Sequence, residues 1–275
     1  MLLLRQILHA YVEGGPMGVW TAACSKAGQI LRRSNGRSNG RSAVGSAAGP
    51  ADNAGTPRDG AAPGPHPFDL MHGTDTSGLI GGQELSSGRW NDLWNTAYYG
   101  ISPSGLTQML EALDLDWPRF TFVDLGSGKG RALLLASRFP FRRIVGVEIS
   151  PNLSNVAATN IERFSAPWQT CHEIEPRVGD AAEFAYPSGP LVVFLYQPFL
   201  SPVLKKCLKN LARSLEAEPR ELYVMYVNPV YERLLQAVPR LERHWDRSFA
   251  FSEEDLRADR LGATGDRVVV YRSLP

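Results

Sequence analysis

Phe122-Val123-Asp124-Leu125-Gly126-Ser127-Gly128-Lys129-Gly130-Arg131 runs from an apolar stretch through an acid into three alternate glycines, and Ala132-Leu133-Leu134-Leu135-Ala136-Ser137 follows with helical composition. An apolar run closed by glycines and continued by helix formers is a strand, a tight turn and a helix N-terminus. Glycines allow left-handed backbone and close approach of a ligand, and the first N–H groups of a helix face outward there. This constrains the chain to an α/β plan with a nucleotide-type turn.

The turn is not that of a dinucleotide site. A G-x-G-x-x-G fingerprint uses its third glycine for close helix–strand packing, and Arg131 stands where that glycine would be. Asp124 argues the same way, because a carboxylate repels a pyrophosphate and attracts a cation. The arrangement suits a positively charged, adenosine-containing ligand. Asp124-Leu125-Gly126-Ser127-Gly128-Lys129-Gly130 fits the pattern D-x-G-x-G-x-G, which resembles the first motif of class I S-adenosylmethionine-dependent methyltransferases. The resemblance spans about residues 68 to 275. It implies S-adenosylmethionine as cofactor, Gly126, Ser127, Gly128 and Gly130 as its turn, and the Asp124 carboxylate with the Gly126 and Gly128 amides at its methionine end.

The rest of the chain supports the same fold class. Its 275 residues are 43% apolar, enough for a sizeable core. From residue 120 onward, strand patterns at 120–125, 143–149, 174–178, 191–196, 221–227, 244–251 and 267–272 alternate with helix patterns at 130–139, 151–164, 201–216 and 229–238. A further helix is expected at about 104–115. Such alternation predicts right-handed crossovers and a doubly wound, mostly parallel seven-stranded sheet. No helical pattern separates the last two strands, so they are expected to form an antiparallel hairpin, as in the class I methyltransferase sheet.

Three regions are expected: helical residues 1–33, a low-complexity linker over 34–66, and a catalytic domain over 67–275. Leu4, Ile7, Leu8, Tyr11 and Val12, then Trp20, Ala23, Cys24, Ala27, Ile30 and Leu31, follow helical spacing. With Arg32 and Arg33 behind them, they suit an anionic membrane surface, a partner, the chain's own core or an organelle transit peptide. Residues 34–66 repeat Arg-Ser-Asn-Gly and turn rich in Ala, Gly and Pro, too poor in apolar surface to offset chain entropy.

Charge is uneven. Residues 1–65 carry seven Lys/Arg against three Asp/Glu, and the remainder 22 against 25. An acidic catalytic part argues against a dedicated nucleic-acid groove. Cys24, Cys171 and Cys207 have no metal or disulfide spacing, and no apolar stretch approaches the roughly 18–20 residues that span a bilayer. The expected location is the cytoplasm, with peripheral membrane contact as an option.

Ligands in open α/β sheets sit beyond the carboxyl ends of the strands. Glu148 ends one strand, 18 residues after Gly130, where an acid can accept from both ribose hydroxyls. Asp180 ends the next, where the resemblance implies contact with the adenine amino group; Asp is equally an N-cap there. Leu195-Tyr196-Gln197-Pro198-Phe199 resembles the Asn/Asp-Pro-Pro-Tyr/Phe motif of amino-methylating members, with Gln for Asn and one proline missing. It makes Tyr196 and Gln197 the candidate catalytic residues, although Pro-Phe is also a common way to turn the chain. Asn228-Pro229 is a weaker echo.

His72-Gly73-Thr74-Asp75-Thr76-Ser77-Gly78 admits two readings: a lid whose Asp75 or hydroxyls reach the cofactor, or an N-terminal clasp held by capping residues. Tyr98 and Tyr99 wall a pocket or serve packing. No nucleophile elbow or H-E-x-x-H metal pattern is present, and a sulfonium donor needs neither. The expected activity is therefore methyl transfer by in-line displacement to an acceptor the motifs do not name: a protein lysine, another small amine, or a hydroxyl. The alternative is a catalytically silent cofactor-binding scaffold; a nucleotide-dependent oxidoreductase is disfavoured by Arg131 and Asp124.

Overall fold

Val, Ile, Leu and Phe dominate residues 121–125, 143–148, 191–196 and 222–227, the pattern of strands covered on both faces, while 174–178 and 241–250 are more polar. In the computed structural model, which describes residues 64–81, 96–259 and 261–274, the four apolar segments and three others form one seven-stranded sheet. β3 (Thr121–Leu125), β4 (Arg143–Glu148), β5 (Ile174–Val178), β6 (Leu191–Tyr196) and β7 (Leu222–Val227) are parallel, and β8 (Leu241–Ala250) and β9 (Gly265–Ser273) complete the sheet antiparallel, in the order β5-β4-β3-β6-β7-β9-β8. This is the sheet expected from the sequence. The chain runs outward through β4 and β5 on one side of β3, then crosses to β6 on the other. A switch point therefore lies at the carboxyl end of β3, where Asp124 pairs with Gly146 on one side and Phe194 on the other.

Alternate side chains feed two cores. Phe122, Phe194, Met225, Val268 and Val270 pack on one face with α2 (Pro103–Glu111) and α3 (Arg131–Ala136). Val123, Val145, Val193, Val224 and Val269 pack on the other with α5 (Ser201–Ala217), whose Val203, Leu204, Cys207, Leu208 and Leu211 share one stripe. Outside the sheet, α1 (Pro67–His72) opens the folded part, and β1 (Leu79–Ile80) pairs antiparallel with β2 (Tyr98–Tyr99). α4 (Pro151–Arg163) connects β4 to β5, and α6 (Glu232–Gln236) follows β7.

Two expectations need correction. The pattern at 229–238 yields only the five residues of α6. The hairpin β8–β9 does carry a helix, α7 (Glu253–Ala258), between its strands. Six residues are too few for periodicity to register; Ser252 sets the helix by accepting a hydrogen bond from the Asp255 amide. The expected helices of 1–33, and the linker except for 64–66, lie outside the described residues. Among the described residues, no helix is long and apolar enough to cross a membrane, and Cys171 and Cys207 are buried free thiols.

Candidate active site

The three turn glycines have φ values of +89° (Gly126), +54° (Gly128) and +86° (Gly130), a region that strains other residues. Two are also required by their neighbours. A Cβ on Gly126 would stand 2.4 Å from the Pro198 Cβ, and one on Gly128 2.3 Å from the Tyr98 ring. The amides of Gly126 and Ser127 donate to the Val147 carbonyl at 2.8 and 3.1 Å, and the Gly128 amide donates to Glu148 Oε2 at 2.8 Å. The Gly126 and Gly128 amides, expected at the methionine end, are thus engaged by the end of β4. What the turn presents is a tightly packed floor.

A cleft opens above that floor, lined by Asp124, Gly126, Ser127, Glu148, Asp180 and Tyr196 among others. Six of the ten residues singled out from the sequence therefore converge on one cavity. Gly128 and Gly130 shape the turn from behind, Gln197 lies buried beside it, and Asp75 stands apart on the surface. Each Glu148 oxygen already accepts one backbone N–H, from Gly128 and from Ser150 at 2.9 Å. A carboxylate oxygen has a second lone pair, so the ribose contact stays compatible with this geometry. Asp180 both lines the cavity and caps the 3-10 turn Ala181–Glu183, accepting from Ala182 N at 2.9 Å.

Asp124 is buried, and no cation among the described residues pairs with it. Burial first, and the neighbouring Glu148 second, push its carboxyl up to about 8. Ser127 Oγ, also buried, has no hydrogen-bond partner among the described residues. A cationic, hydrogen-bonding ligand such as the methionine end of S-adenosylmethionine fits this pair of groups. The raised value carries a sign: the folded state holds the proton more tightly than the unfolded chain, so this group lowers stability as pH rises from about 4 through 8. A bound ammonium favours the ionised form and reverses that. Cofactor affinity is therefore expected to rise between pH 7 and 8.5, with proton release at pH 7 seen by calorimetry in buffers of different ionisation heat. In Asp124→Asn both effects should vanish; a pH-independent affinity in the wild type would remove the role given to Asp124.

The wall above the turn is built by the segment that precedes the domain. Tyr98 lies over Gly128 and donates its hydroxyl to the Thr76 carbonyl at 2.7 Å. Thr76 belongs to a clasp: Asp69 accepts from the hydroxyls of Thr74 (2.7 Å), Thr76 (2.6 Å) and Ser77, and from the Thr76 amide. Arg131 anchors that clasp. Its buried guanidinium reaches Thr76 Oγ1 (2.7 Å), Ser77 Oγ (3.0 Å), Asp69 (3.4 Å) and the carbonyls of Gly100 and Ile101. Asn160 of α4 ties the Asp75 backbone to the Lys129 carbonyl, and Lys129 pairs with the exposed Asp75 carboxylate at 2.7 Å. Of the two readings of residues 72–78, the contacts are those of the clasp. His72 packs among Phe68, Phe164 and Trp168.

Sequence reading missed the anchoring roles of Arg131 and Asn160, because their partners lie 62 and 85 residues away. It also missed Thr96, whose hydroxyl donates to the Gln197 carbonyl at 2.7 Å, and Asp266. Asp266 had a legible signal: it alternates with Val268 and Val270, a lone acid on an apolar strand face.

Residues 88–171, under a third of the chain, match the family model described as histone methylation protein DOT1. Among curated proteins, no sequence matches significantly. Solved structures that resemble it include a geranyl diphosphate C-methyltransferase from Streptomyces coelicolor A3(2), 13% identical over 62% of this chain and 76% of that one at a TM-score of 0.43. The [4+2]-cyclase SpnF is 15% identical over 61% and 80% at a TM-score of 0.45. TrmN from Thermus thermophilus is 15% identical over 61% and 48% at a TM-score of 0.42. At such distances neither their substrates nor their chemistry transfers to this chain.

Proposed function

We propose that this chain is a class I S-adenosylmethionine-dependent methyltransferase, that its acceptor is an amine, and that a protein lysine is the favoured kind. The cofactor supplies an electrophilic methyl on a sulfonium, and no metal or covalent enzyme adduct is needed for its transfer. The chain's own task is to hold a neutral nitrogen in line with that methyl.

The observation that carries this reading is Gln197. It stands at the carboxyl end of β6, beside the cavity-lining Tyr196, in left-handed backbone at φ +44°. Non-glycine residues held there cluster at functional sites. Its backbone carbonyl is engaged by Thr96, and its side-chain Oε1 is buried with no partner among the described residues. An amide oxygen accepts an N–H and repels an oxyanion, which selects an amine over a carboxylate acceptor. The family match to histone methylation protein DOT1 supports a protein amine.

The test is transfer of a labelled methyl group to fractionated cell extract. The label is expected to remain on protein through mild base, as N-methyl groups do and carboxyl esters do not. Gln197→Ala is expected to lower turnover roughly 100-fold through acceptor misplacement, with cofactor affinity within about twofold of wild type. Base-labile label alone would overturn the amine. Cofactor binding with no transfer to any fraction would leave the silent scaffold in its place.

A further inference from the structure

A second cavity adjoins the first and shares Tyr99, Gly100, Arg131 and Tyr196 with it. Its far wall comes from the C-terminal hairpin and carries three acids: Asp255 and Asp259 at α7, and Asp266 at the start of β9. Two of these are satisfied by the fold. Asp255 accepts from the Ser102 hydroxyl and the Ser104 amide at 2.8 Å and faces His66 at 3.4 Å. Asp259 accepts from the Tyr99 hydroxyl at 3.0 Å and from the Leu261 and Ala263 amides at 3.0 and 2.8 Å.

Asp266 differs. It is only 3% exposed; Oδ1 accepts from Asn228 Nδ2 at 2.7 Å, while Oδ2 is buried with no hydrogen-bond partner among the described residues. A buried carboxylate oxygen without a donor is costly, and a fold keeps one where a ligand's N–H completes it. Among the described residues lining this cavity, the one Lys or Arg is Arg131, and it is occupied by the clasp, with Asp69, Thr76 and Ser77 around it. Among the described residues the cavity is thus acidic, and none of them brings a free cation to Asp266. Asn228, in left-handed backbone at φ +49°, is fixed by its amide donating to the Arg267 carbonyl at 2.7 Å, so the Asp266 carboxylate is held in place.

We propose that this second cavity is the acceptor pocket, that it takes a cationic amine, and that Asp266 Oδ2 receives the acceptor's N–H across the threshold formed by Tyr99 and Tyr196. The inference rests on the amine reading above and narrows it to acceptors that arrive positively charged, as a lysine side chain or a free alkylamine does; the bound ammonium gives one proton to solvent before transfer, so the nitrogen that meets the methyl is neutral and keeps an N–H on Asp266. Asp266 is a specificity residue here. Burial, and Asp259 nearby, push its carboxyl up only to about 6, so it is mainly ionised at neutral pH and attracts such a group. Burial also holds the Tyr196 hydroxyl well above its usual value, with Asp266, Tyr99 and Asp259 adding to the effect, which keeps it a neutral donor at the boundary.

The test uses the full chain, labelled S-adenosylmethionine, a pool of lysine-containing peptides and n-butylammonium as competitor. Asp266→Asn keeps the oxygen that meets Asn228 and removes the charge. It is expected to raise KM for the peptide amine roughly tenfold to a hundredfold, with kcat and cofactor affinity within about threefold, and to weaken n-butylammonium inhibition by a similar factor. In the wild type, n-butylammonium should compete with the peptides and 1-butanol should not, a comparison that holds whether or not the variant folds. Equal inhibition by both, or amine methylation with KM unchanged in Asp266→Asn, overturns the pocket assignment while leaving an amine acceptor standing. Methylation of hydroxyls or carboxylates with none of amines overturns both.

Discussion

Arg131→Ala is expected to destabilise the domain by about 3–5 kcal/mol, the usual effect of removing one partner of a buried ion pair, and to lower the melting temperature by roughly 10 °C. The side chain is 6% exposed and its partner Asp69 only 1%, so Asp69 would be left buried without its counter-charge, held only by the hydroxyls of Thr74, Thr76 and Ser77 and the Thr76 amide. Burial alone would push the Asp69 carboxyl up, but the hydroxyls of Ser77, Thr76 and Thr74, together with Arg131, outweigh that and hold it below the usual carboxylate range. Its contribution is present above the unfolded value near 4 and is lost as pH falls through the lower folded one. The damage extends to the site, because the Thr76 carbonyl that orients Tyr98 is held by the same clasp. Cofactor affinity should fall with stability. A double change, Arg131→Met with Asp69→Asn, removes both charges and should recover part of the loss in chemical denaturation. A single variant within about 1 kcal/mol of wild type, with unchanged cofactor affinity, would show that the clasp does not support the site.

The second large effect is expected at Gly126. Alanine there meets left-handed strain of about 1–2 kcal/mol and a Cβ 2.4 Å from Pro198 Cβ, a contact that only a shift of backbone relieves. Overpacking of that kind adds about 1–3 kcal/mol. Pro198 follows Gln197, so one methyl group pushes the glycine turn and the carboxyl end of β6 apart together. Turnover per bound cofactor and cofactor affinity are each expected to drop, with kcat/KM down roughly 100-fold or more. Gly73→Ala provides the control: its φ is +66° but nothing lies within 4 Å of the added carbon, so it should lose modest stability and keep activity. Equal effects at the two positions would mean that strain alone, and not the contact with Pro198, explains Gly126.

The parallel strands were legible almost to the residue, and the reason is physical. β3, β4, β6 and β7 are buried on both faces, so their apolar runs end where the sheet ends, and Asp124 and Glu148 mark those ends. Six residues that line one cavity could be named because strand ends in such a sheet converge on its switch point. The antiparallel edge was less legible. β8 starts at Leu241 and alternates with solvent, so its pattern is weak, and α7 is too short to show a period. Asp75 looked like a site residue from its company of Gly, Thr and Ser; its carboxylate is instead on Lys129, and the same company builds the clasp.

The amino-acid sequence by itself determined the α/β sheet, its switch point, the glycine turn and the carboxylates at the strand ends, because each is a local pattern of apolar runs, chain-bending residues and strand-end charge. Tertiary structure alone decided what surrounds them. It turned Arg131 from a missing glycine into the anchor of a distant clasp, placed Tyr98 against Gly128, and brought Asp266 from the last strand to the threshold near Tyr196. Those relations join residues far apart in the chain, through burial and hydrogen bonds that no local pattern encodes.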